Sequence, residues 1–192
     1  MSINLITGCM FSGKTSALIK IANNCKKDNL KVIIINYIGD TRYSKSDKIT
    51  THDGISMDCK TCGKDLIDIL IKSSVLTADV ICINEGQFFE DLYDIINILV
   101  NMHKKRVYVC GLDGDFKRRK FGKILDIIPL SDNVRKLKAI CKKCKKREAI
   151  FTHRLNSKSN NQVVIGDCDT YTSLCRCCYN LMNAISPTGT TQ

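Results

Sequence analysis

Residues 8–15 constrain this chain more than any other part of its sequence. They match the phosphate-binding loop pattern G-x-x-x-x-G-K-[ST] with Gly8, Cys9, Met10, Phe11, Ser12, Gly13, Lys14 and Thr15. An apolar run at 2–7 precedes the loop, and apolar residues at helical spacing follow over 14–29. The sequence therefore predicts a buried strand, a loop of backbone N–H groups facing phosphate oxygens, and a helix whose positive end adds to the site.

Two side chains in this loop carry the chemistry that the motif predicts. Lys14 supplies a positive charge for the β- and γ-phosphates of ATP, and the hydroxyl of Thr15 is suited to Mg²⁺. The loop predicts binding of a nucleoside triphosphate, but it does not identify the group that receives the phosphate.

The rest of the first 136 residues alternates between strand and helix patterns. We predict strands at 31–37, 79–84 and 106–110, helices at 64–72 and 88–103, and loops at 39–54 and 111–122. This alternation predicts an α/β fold, a P-loop NTPase-like and mainly parallel sheet flanked by helices.

The sequence pattern changes after about residue 136, where pairs of cysteines appear. Of the 12 cysteines, Cys141 and Cys144 form one C-x-x-C pair, and Cys175 and Cys178 form another. Two such pairs predict a closed, structural Zn²⁺ site, with Cys177 as an alternative to Cys178. We expect a zinc-ribbon-like subdomain at 137–185, with short strands at 149–152 and 162–165, and a flexible tail at 186–192.

The compartment is also suggested by the cysteines. Cys59 and Cys62 have no partner pair and are interpreted as free thiols. The first residues have no basic stretch or cleavage pattern of a secretory signal, and no apolar run reaches the roughly 18 residues that span a membrane. We therefore expect reduced cysteines, a cytoplasmic protein and no membrane partner.

Glu85 follows the predicted strand at 79–84, at the sheet edge where ligands bind in α/β folds. A carboxylate there is a candidate general base for an acceptor hydroxyl. The alternative is that Glu85 caps the next helix, which is predicted to begin near Phe88.

Taken together, several segments resemble the type II thymidine kinase family from residue 2 to 180. Each is weak alone, but their order and spacing are specific: 8–15, 40–43, 51–53, 85–89, 111–116, 121–122, 164–166, 171 and 175–179. The resemblance implies thymidine as the substrate, ATP as the phosphate donor, a homotetramer, and a loop within 137–185 that closes the nucleoside site.

The resemblance also implies roles for individual residues. Glu85 would accept the proton of the 5′-hydroxyl, Arg42 would act with Lys14 at the phosphates, and Asp40, Asn84 and Gln87 would belong to the cofactor site. Thymidine would be held by Met10, Phe88, Leu112, Phe116, Phe121, Val164 and Tyr171. Each aromatic side chain taken alone is equally compatible with ordinary packing.

Asn84 departs from the family, which usually carries aspartate at this position. Asparagine keeps an oxygen acceptor but loses the charge, so we expect a raised Mg²⁺ requirement. An inactive interaction protein is the third reading that this residue leaves open.

The net charge of +11 favours anionic partners. The basic runs at 117–120 and 135–147 serve either phosphates or solvation. A phosphate-binding loop, a zinc ribbon and this charge would also suit an ATP-dependent nucleic-acid-binding protein, which is the alternative function. The aromatic residues around Glu85 favour the kinase and argue against a nucleic-acid partner.

Overall fold

The computed structural model describes residues 1–39, 47–51, 54–72, 74–155, 161–164, 166 and 168–184. Among them, the first half of the chain supplies these strands and helices: β1 (Ser2–Gly8), α1 (Lys14–Lys27), β2 (Val32–Tyr37), β3 (Lys48–Thr50), β4 (Ser56–Asp58), β5 (Lys60–Cys62), α2 (Ile67–Lys72) and β6 (Val80–Ile83). The second half supplies α3 (Leu92–Asn97), β7 (Arg106–Gly111), β8 (Asn133–Leu137), β9 (Ala139–Ile140), β10 (Glu148–Ala149), β11 (Phe151–Arg154), β12 (Tyr171–Leu174) and α4 (Arg176–Ala184).

Six strands form one sheet in the order β5-β2-β6-β7-β1-β8, and every pairing within it is parallel. The carboxyl ends of β1, β2, β6 and β7 therefore meet at one edge of the sheet. This arrangement confirms the predicted α/β fold with a mainly parallel sheet.

Both faces of the sheet are covered, because side chains alternate across each strand. Leu5, Ile35 and Ile83 face a core shared with α3 and with a 3₁₀ helix at Ile124–Leu130. On the opposite face, Ile6 and Ile34 pack against α1. Within the described ranges, no helix is long and apolar enough to cross a membrane.

A third core cluster lies in the C-terminal part of the chain, where β9 pairs with β10 and β11 pairs with β12, both antiparallel. The prediction of a separate unit from residue 137 remains a prediction. Residues 186–192 lie outside the described part of the chain.

Several predicted elements were wrong in extent. The loop predicted at 39–54 contains β3, which pairs with β4 in a hairpin. The single helix predicted at 88–103 is divided into a 3₁₀ turn at Gly86–Phe88, α3, and a π-helix at Ile98–Met102. Residues 162–164 form no strand, and the carbonyl oxygens of Gln162 and Val164 accept hydrogen bonds from the side chains of Arg154 and Tyr171. Residue 165 lies outside the described residues.

Candidate active site

The phosphate-binding loop begins where β1 ends. Gly8 has a φ of 148°, and a Cβ there would lie 2.3 Å from the carbonyl oxygen of Leu137 on β8, so no larger residue fits. Gly13 caps α1 with a φ of 78°, which also favours glycine. The two motif glycines therefore stand where the backbone turn requires them.

Lys14 is buried at the start of α1, and its Nζ donates to the carbonyl oxygen of Cys9 at 2.7 Å. Burial lowers the pKa of Lys14, and the negative charge of Glu85 opposes that shift. The predicted phosphate-binding lysine and the predicted base therefore interact electrostatically.

A chain of buried and half-buried polar side chains lies beside the loop, at the carboxyl ends of β2, β6 and β7. Thr15 Oγ1 donates to Asn84 Oδ1 at 3.5 Å, and the thiol of Cys110 donates to the same oxygen at 3.0 Å. Asn84 Nδ2 donates to Asn36 Oδ1 at 2.8 Å. The structure thus brings two predicted cofactor residues together, Thr15 and Asn84, and adds Asn36, which has no motif to reveal it.

Glu85 follows β6 and is buried with a left-handed φ of 56°, a conformation rare for residues other than glycine. Gln87 Nε2 donates to Glu85 Oε2 at 2.5 Å. Glu85 precedes the 3₁₀ turn at Gly86–Phe88 without a capping hydrogen bond from its side chain, and α3 begins only at Leu92. Glu85 therefore stands at the N-cap position of the 3₁₀ turn but makes no side-chain capping hydrogen bond there, and the N-cap residue of α3 is Asp91.

Gln87 connects Glu85 to the loop after β7, because its Oε1 accepts the backbone N–H of Leu112 at 2.9 Å. Gly122 makes room for this segment, since a Cβ there would lie 1.9 Å from the carbonyl oxygen of Gln87. Gln87 was predicted to bind the cofactor, and this stays a prediction; in the structure its side chain contacts Glu85 and Leu112.

A mainly apolar cavity opens beside Glu85. Among the described residues, its lining includes Met10, Gly39, Glu85, Gln87, Phe88, Leu112, Gly114, Asp115, Phe121, Thr152, Gln162, Val163, Val164, Gly166 and Tyr171. Phe88 stacks on Tyr37 with ring centroids 4.6 Å apart, and it meets the edge of Phe121 at 5.4 Å. The aromatic walls give a slot suited to a flat ring. Tyr37, which stiffens this wall, was not predicted.

Six of the seven predicted substrate residues line the cavity, and Phe116 is the exception. The guanidinium of the buried Arg154 lies 3.7 Å from the centroid of the Phe116 ring. Arg154 Nη2 also donates to Tyr171 Oη at 2.8 Å, and Tyr171 Oη donates to the carbonyl oxygen of Val164 at 2.8 Å. Phe116 therefore supports Arg154, which in turn holds the residues of the cavity wall.

Asp115 holds Gln162, another residue of the same cavity wall. This buried carboxylate accepts the backbone N–H groups of Lys117 and Arg119, and it accepts Gln162 Nε2 at 2.9 Å. Burial raises the pKa of Asp115, but these hydrogen bonds outweigh burial and keep the pKa below its ordinary value. Asp115 is therefore held as a carboxylate that anchors Gln162.

The four cysteines of the two C-x-x-C pairs form a cluster, with all sulfur atoms within 4.8 Å of one another. Burial raises the pKa of Cys141, but hydrogen bonds from backbone N–H groups, including that of Cys144, lower it to about 6. Four thiols at this spacing could form a zinc site. Cys177 is exposed and is not part of the cluster, so the repeated spacing selected the correct residue, Cys178.

The cysteine cluster contacts the phosphate-binding loop. Cys9 belongs to the same buried cluster as Cys141, and its thiol donates to the carbonyl oxygen of Ala149 at 3.4 Å. The backbone N–H of Met10 donates to Thr152 Oγ1 at 3.0 Å. The loop is therefore held by the C-terminal part of the chain as well as by the sheet.

Cys59 and Cys62 do not form part of a metal cluster among the described residues. Both are thiols outside any disulfide, and they are buried in the cores on opposite faces of the sheet. Burial raises the pKa of Cys62 to about 12, which favours an inert, protonated thiol.

The sheet is parallel, and the phosphate-binding loop follows its first strand. The buried carboxylate of Glu85 follows β6, which lies two strands from β1 in the sheet. These features define a P-loop nucleotide-binding protein. The sequence profile of the thymidine kinase family matches residues 1–179. The chain belongs to this family.

Individual relatives agree with this assignment. Cytosolic thymidine kinase of Cricetulus griseus is 40% identical over 187 residues, which cover 97% of this chain and 76% of the relative. Thymidine kinase a of Arabidopsis thaliana is 40% identical, with 91% of this chain and 73% of the relative covered. Thymidine kinase of Variola virus is 41% identical, with 92% and 96% covered.

Two predicted residues, Asp40 and Arg42, lie outside the described residues. Sequence reasoning gave no role to Arg154 or Asp115. Asp115 lies within the family-like segment 111–116, whereas Arg154 belongs to no short motif.

Proposed function

We propose that this chain transfers the γ-phosphate of ATP to the 5′-hydroxyl of thymidine, giving thymidine monophosphate. Membership of the thymidine kinase family supports this assignment. One observation carries it from the structure: Glu85 lies in the wall of an aromatic-lined cavity and interacts with the lysine of the phosphate-binding loop. A hydroxyl of a molecule in the cavity and the phosphate chain of ATP on the loop would meet beside Glu85.

Glu85 is the general base in this proposal. Its carboxylate takes the proton of the 5′-hydroxyl, and Gln87 keeps the carboxylate turned toward the cavity through the 2.5 Å hydrogen bond. Lys14 stabilises the charge that develops on the phosphate oxygens. Arg42 is proposed to assist at the phosphates, with Asp40 at the cofactor.

The side-chain oxygens of Thr15 and Asn84 suit a Mg²⁺ ion, because these two oxygen atoms lie 3.5 Å apart beside the loop. When bound, Mg²⁺ would neutralise charge on the phosphates. The four clustered cysteines fit Zn²⁺ in a closed and therefore structural site.

The cavity supplies the nucleoside site. Phe88 and Phe121 give flat apolar walls, while Tyr171 and Val164 bring polar backbone groups to the rim for the edge of the base. Met10 and Leu112 complete the apolar lining. Phe116 acts in this proposal through Arg154, whose guanidinium lies on its ring.

A comparison of ADP release with different acceptors tests the proposal. Purified protein with Mg²⁺ and ATP should release ADP when thymidine is added, and thymidine monophosphate should form in equal amount. Single-stranded DNA or RNA should not stimulate ADP release. Stimulation by nucleic acid and none by thymidine would favour the alternative function, an ATP-dependent nucleic-acid-binding protein.

Two further properties belong to the proposal. A homotetramer is expected from the family resemblance, and light scattering would measure its mass. A cytoplasmic location is supported by the hamster relative, which is named as cytosolic.

A further inference from the structure

Asn84 has two chemically different ends, and the structure assigns a partner to each. Its Oδ1 accepts from Thr15 Oγ1 and from the thiol of Cys110, and its Nδ2 donates to Asn36 Oδ1. A rotation of the amide by 180° would exchange these ends. The residue that accepts Nδ2 therefore favours the orientation in which Oδ1 faces the phosphate-binding loop.

Asn36 is placed to select this orientation of the Asn84 amide. It ends the buried part of β2, which neighbours β6 in the sheet, and only 4% of Asn36 and 2% of Asn84 are exposed. Water does not compete in so buried a contact, so a lost partner at position 36 would not be replaced easily.

Cys110 supports the same orientation from β7. Its buried thiol donates to Asn84 Oδ1 at 3.0 Å. A thiol is a weak donor, however, and the Thr15 contact is long at 3.5 Å. The 2.8 Å hydrogen bond to Asn36 is the shortest of the three contacts.

We propose that Asn36 is a positioning residue that turns the oxygen of Asn84 toward Thr15, where the cation of the bound nucleotide is held. Cations bind oxygen and are repelled by N–H groups, so a reversed Asn84 amide would weaken the binding of the cation. This inference rests on the proposed function, because it requires a Mg²⁺–nucleotide complex at the loop.

Replacing Asn36 by leucine tests the proposal. Leucine has a similar size but accepts no hydrogen bond, so the Asn84 amide loses the partner that selects its orientation. The measurement is calorimetric binding of AMP-PNP, the β,γ-imido analogue of ATP, over a series of Mg²⁺ concentrations and in EDTA. We expect Asn36→Leu to raise the Mg²⁺ concentration for half-maximal tightening by about 10-fold, with little change in EDTA.

Two variants separate orientation from a merely structural effect. Asn36→Asp keeps an acceptor at position 36 and should need no more Mg²⁺ than the unmodified chain. In Asn84→Asp both ends are oxygens, so no orientation remains to be selected. Adding Asn36→Leu to Asn84→Asp should therefore leave the Mg²⁺ dependence unchanged.

The outcomes are distinguishable. Equal Mg²⁺ dependence for Asn36→Leu and the unmodified chain would overturn the inference and leave the proposed function standing. If Asn36→Leu caused the same shift with and without Asn84→Asp, or an equal loss in EDTA, its role would be structural and the inference would also be overturned. If Mg²⁺ does not tighten AMP-PNP binding to the unmodified chain, the proposed function and the inference both fail.

Discussion

Asn84, Glu85 and Gln87 lie close together in the sequence, yet their side chains reach three different regions of the structure. Asn84 turns back into the sheet toward Asn36, Glu85 enters the cavity from a left-handed backbone, and Gln87 bridges Glu85 to Leu112. The abrupt turn after β6 makes this division possible, because successive residues no longer alternate across the sheet.

Replacing Glu85 by glutamine tests the general base. Glutamine keeps the size but accepts no proton at this position, so turnover should fall by about 10² to 10⁴-fold while thymidine binding changes little. Steady-state kinetics and calorimetric thymidine binding measure the two effects. The matched control is Glu90→Gln, because Glu90 is exposed and paired with Lys64. Near-normal turnover of Glu85→Gln would reject its role as base.

Removing the charge at Lys14 should affect the phosphates and not the cavity. Lys14→Ala is expected to lower the rate of phosphoryl transfer by at least about 10²-fold, because it removes stabilisation of developing phosphate charge. Lys20→Ala, on the exposed side of α1, should leave the rate unchanged. If Lys14→Ala retained full ATP turnover, the loop would have a structural role only.

At the scale of elements, strand-forming patterns were recognised where strands are mostly buried. β1, β2, β6 and β7 are mainly apolar runs at the centre of the sheet, and the sequence predicts each of them. β8 and β5 lie at the two edges of the sheet, and their short, largely polar sequences carry no such run. They are strands because the neighbouring strand pairs with them, which no local pattern records.

The residues of the candidate site also divide into those that a local sequence pattern predicts and those that it does not. The phosphate-binding loop, Glu85 and the cysteine pairs could be predicted, because their chemistry fixes residue types at short spacing. Asn36 and Arg154 could not, since each acts on a residue far away in the sequence. For Phe116 the resemblance suggests a wall of the base pocket, and this role stays a prediction; in the structure its ring packs against Arg154.

Arg154 joins β11 to β12 and to the segment that lines the cavity. Its two Nη atoms donate to the carbonyl oxygens of Asn161 and Gln162 and to the hydroxyl of Tyr171. Arg154→Met keeps the aliphatic stem and loses these donors. A hydrogen bond to a charged group contributes about 1.5–3 kcal/mol, so the apparent affinity for thymidine should fall by about 10-fold or more.

The Arg154 experiment needs a readout of position and not only of stability. Thymidine affinity should fall more than affinity for AMP-PNP, because the segment lines the nucleoside cavity. Arg135→Met on the exposed edge strand β8 is the control and should change neither. Equal losses for both ligands would show that Arg154 acts on the fold as a whole.

At the scale of the whole molecule, three buried clusters meet around the phosphate-binding loop. The sheet carries one cluster on each face, and the third lies around Cys141 and includes Cys9 of the loop itself. The loop therefore borders two structural units, the sheet that ends beneath it and the cysteine cluster that packs against its side.

This arrangement predicts that metal at the cysteine cluster affects phosphate binding. Cys141→Ser removes one ligand and should release Zn²⁺, and structural zinc contributes directly to the free energy of folding. Without it, the contacts from Cys9 to Ala149 and from Met10 to Thr152 lose their support. We expect the melting temperature to fall by roughly 10 °C or more, since about 1 kcal/mol shifts it by about 2–4 °C at this chain length.

Binding of AMP-PNP should weaken in the same variant at a temperature where it is still folded, as circular dichroism would establish. Cys177→Ser is the matched control: it lies between two of the clustered cysteines but is exposed and outside the cluster. That variant should keep one Zn²⁺ per chain, the melting temperature and the nucleotide affinity. Zinc loss from folded Cys141→Ser with unchanged AMP-PNP affinity would show that the sheet alone holds the loop, and zinc loss from Cys177→Ser would reassign the ligand.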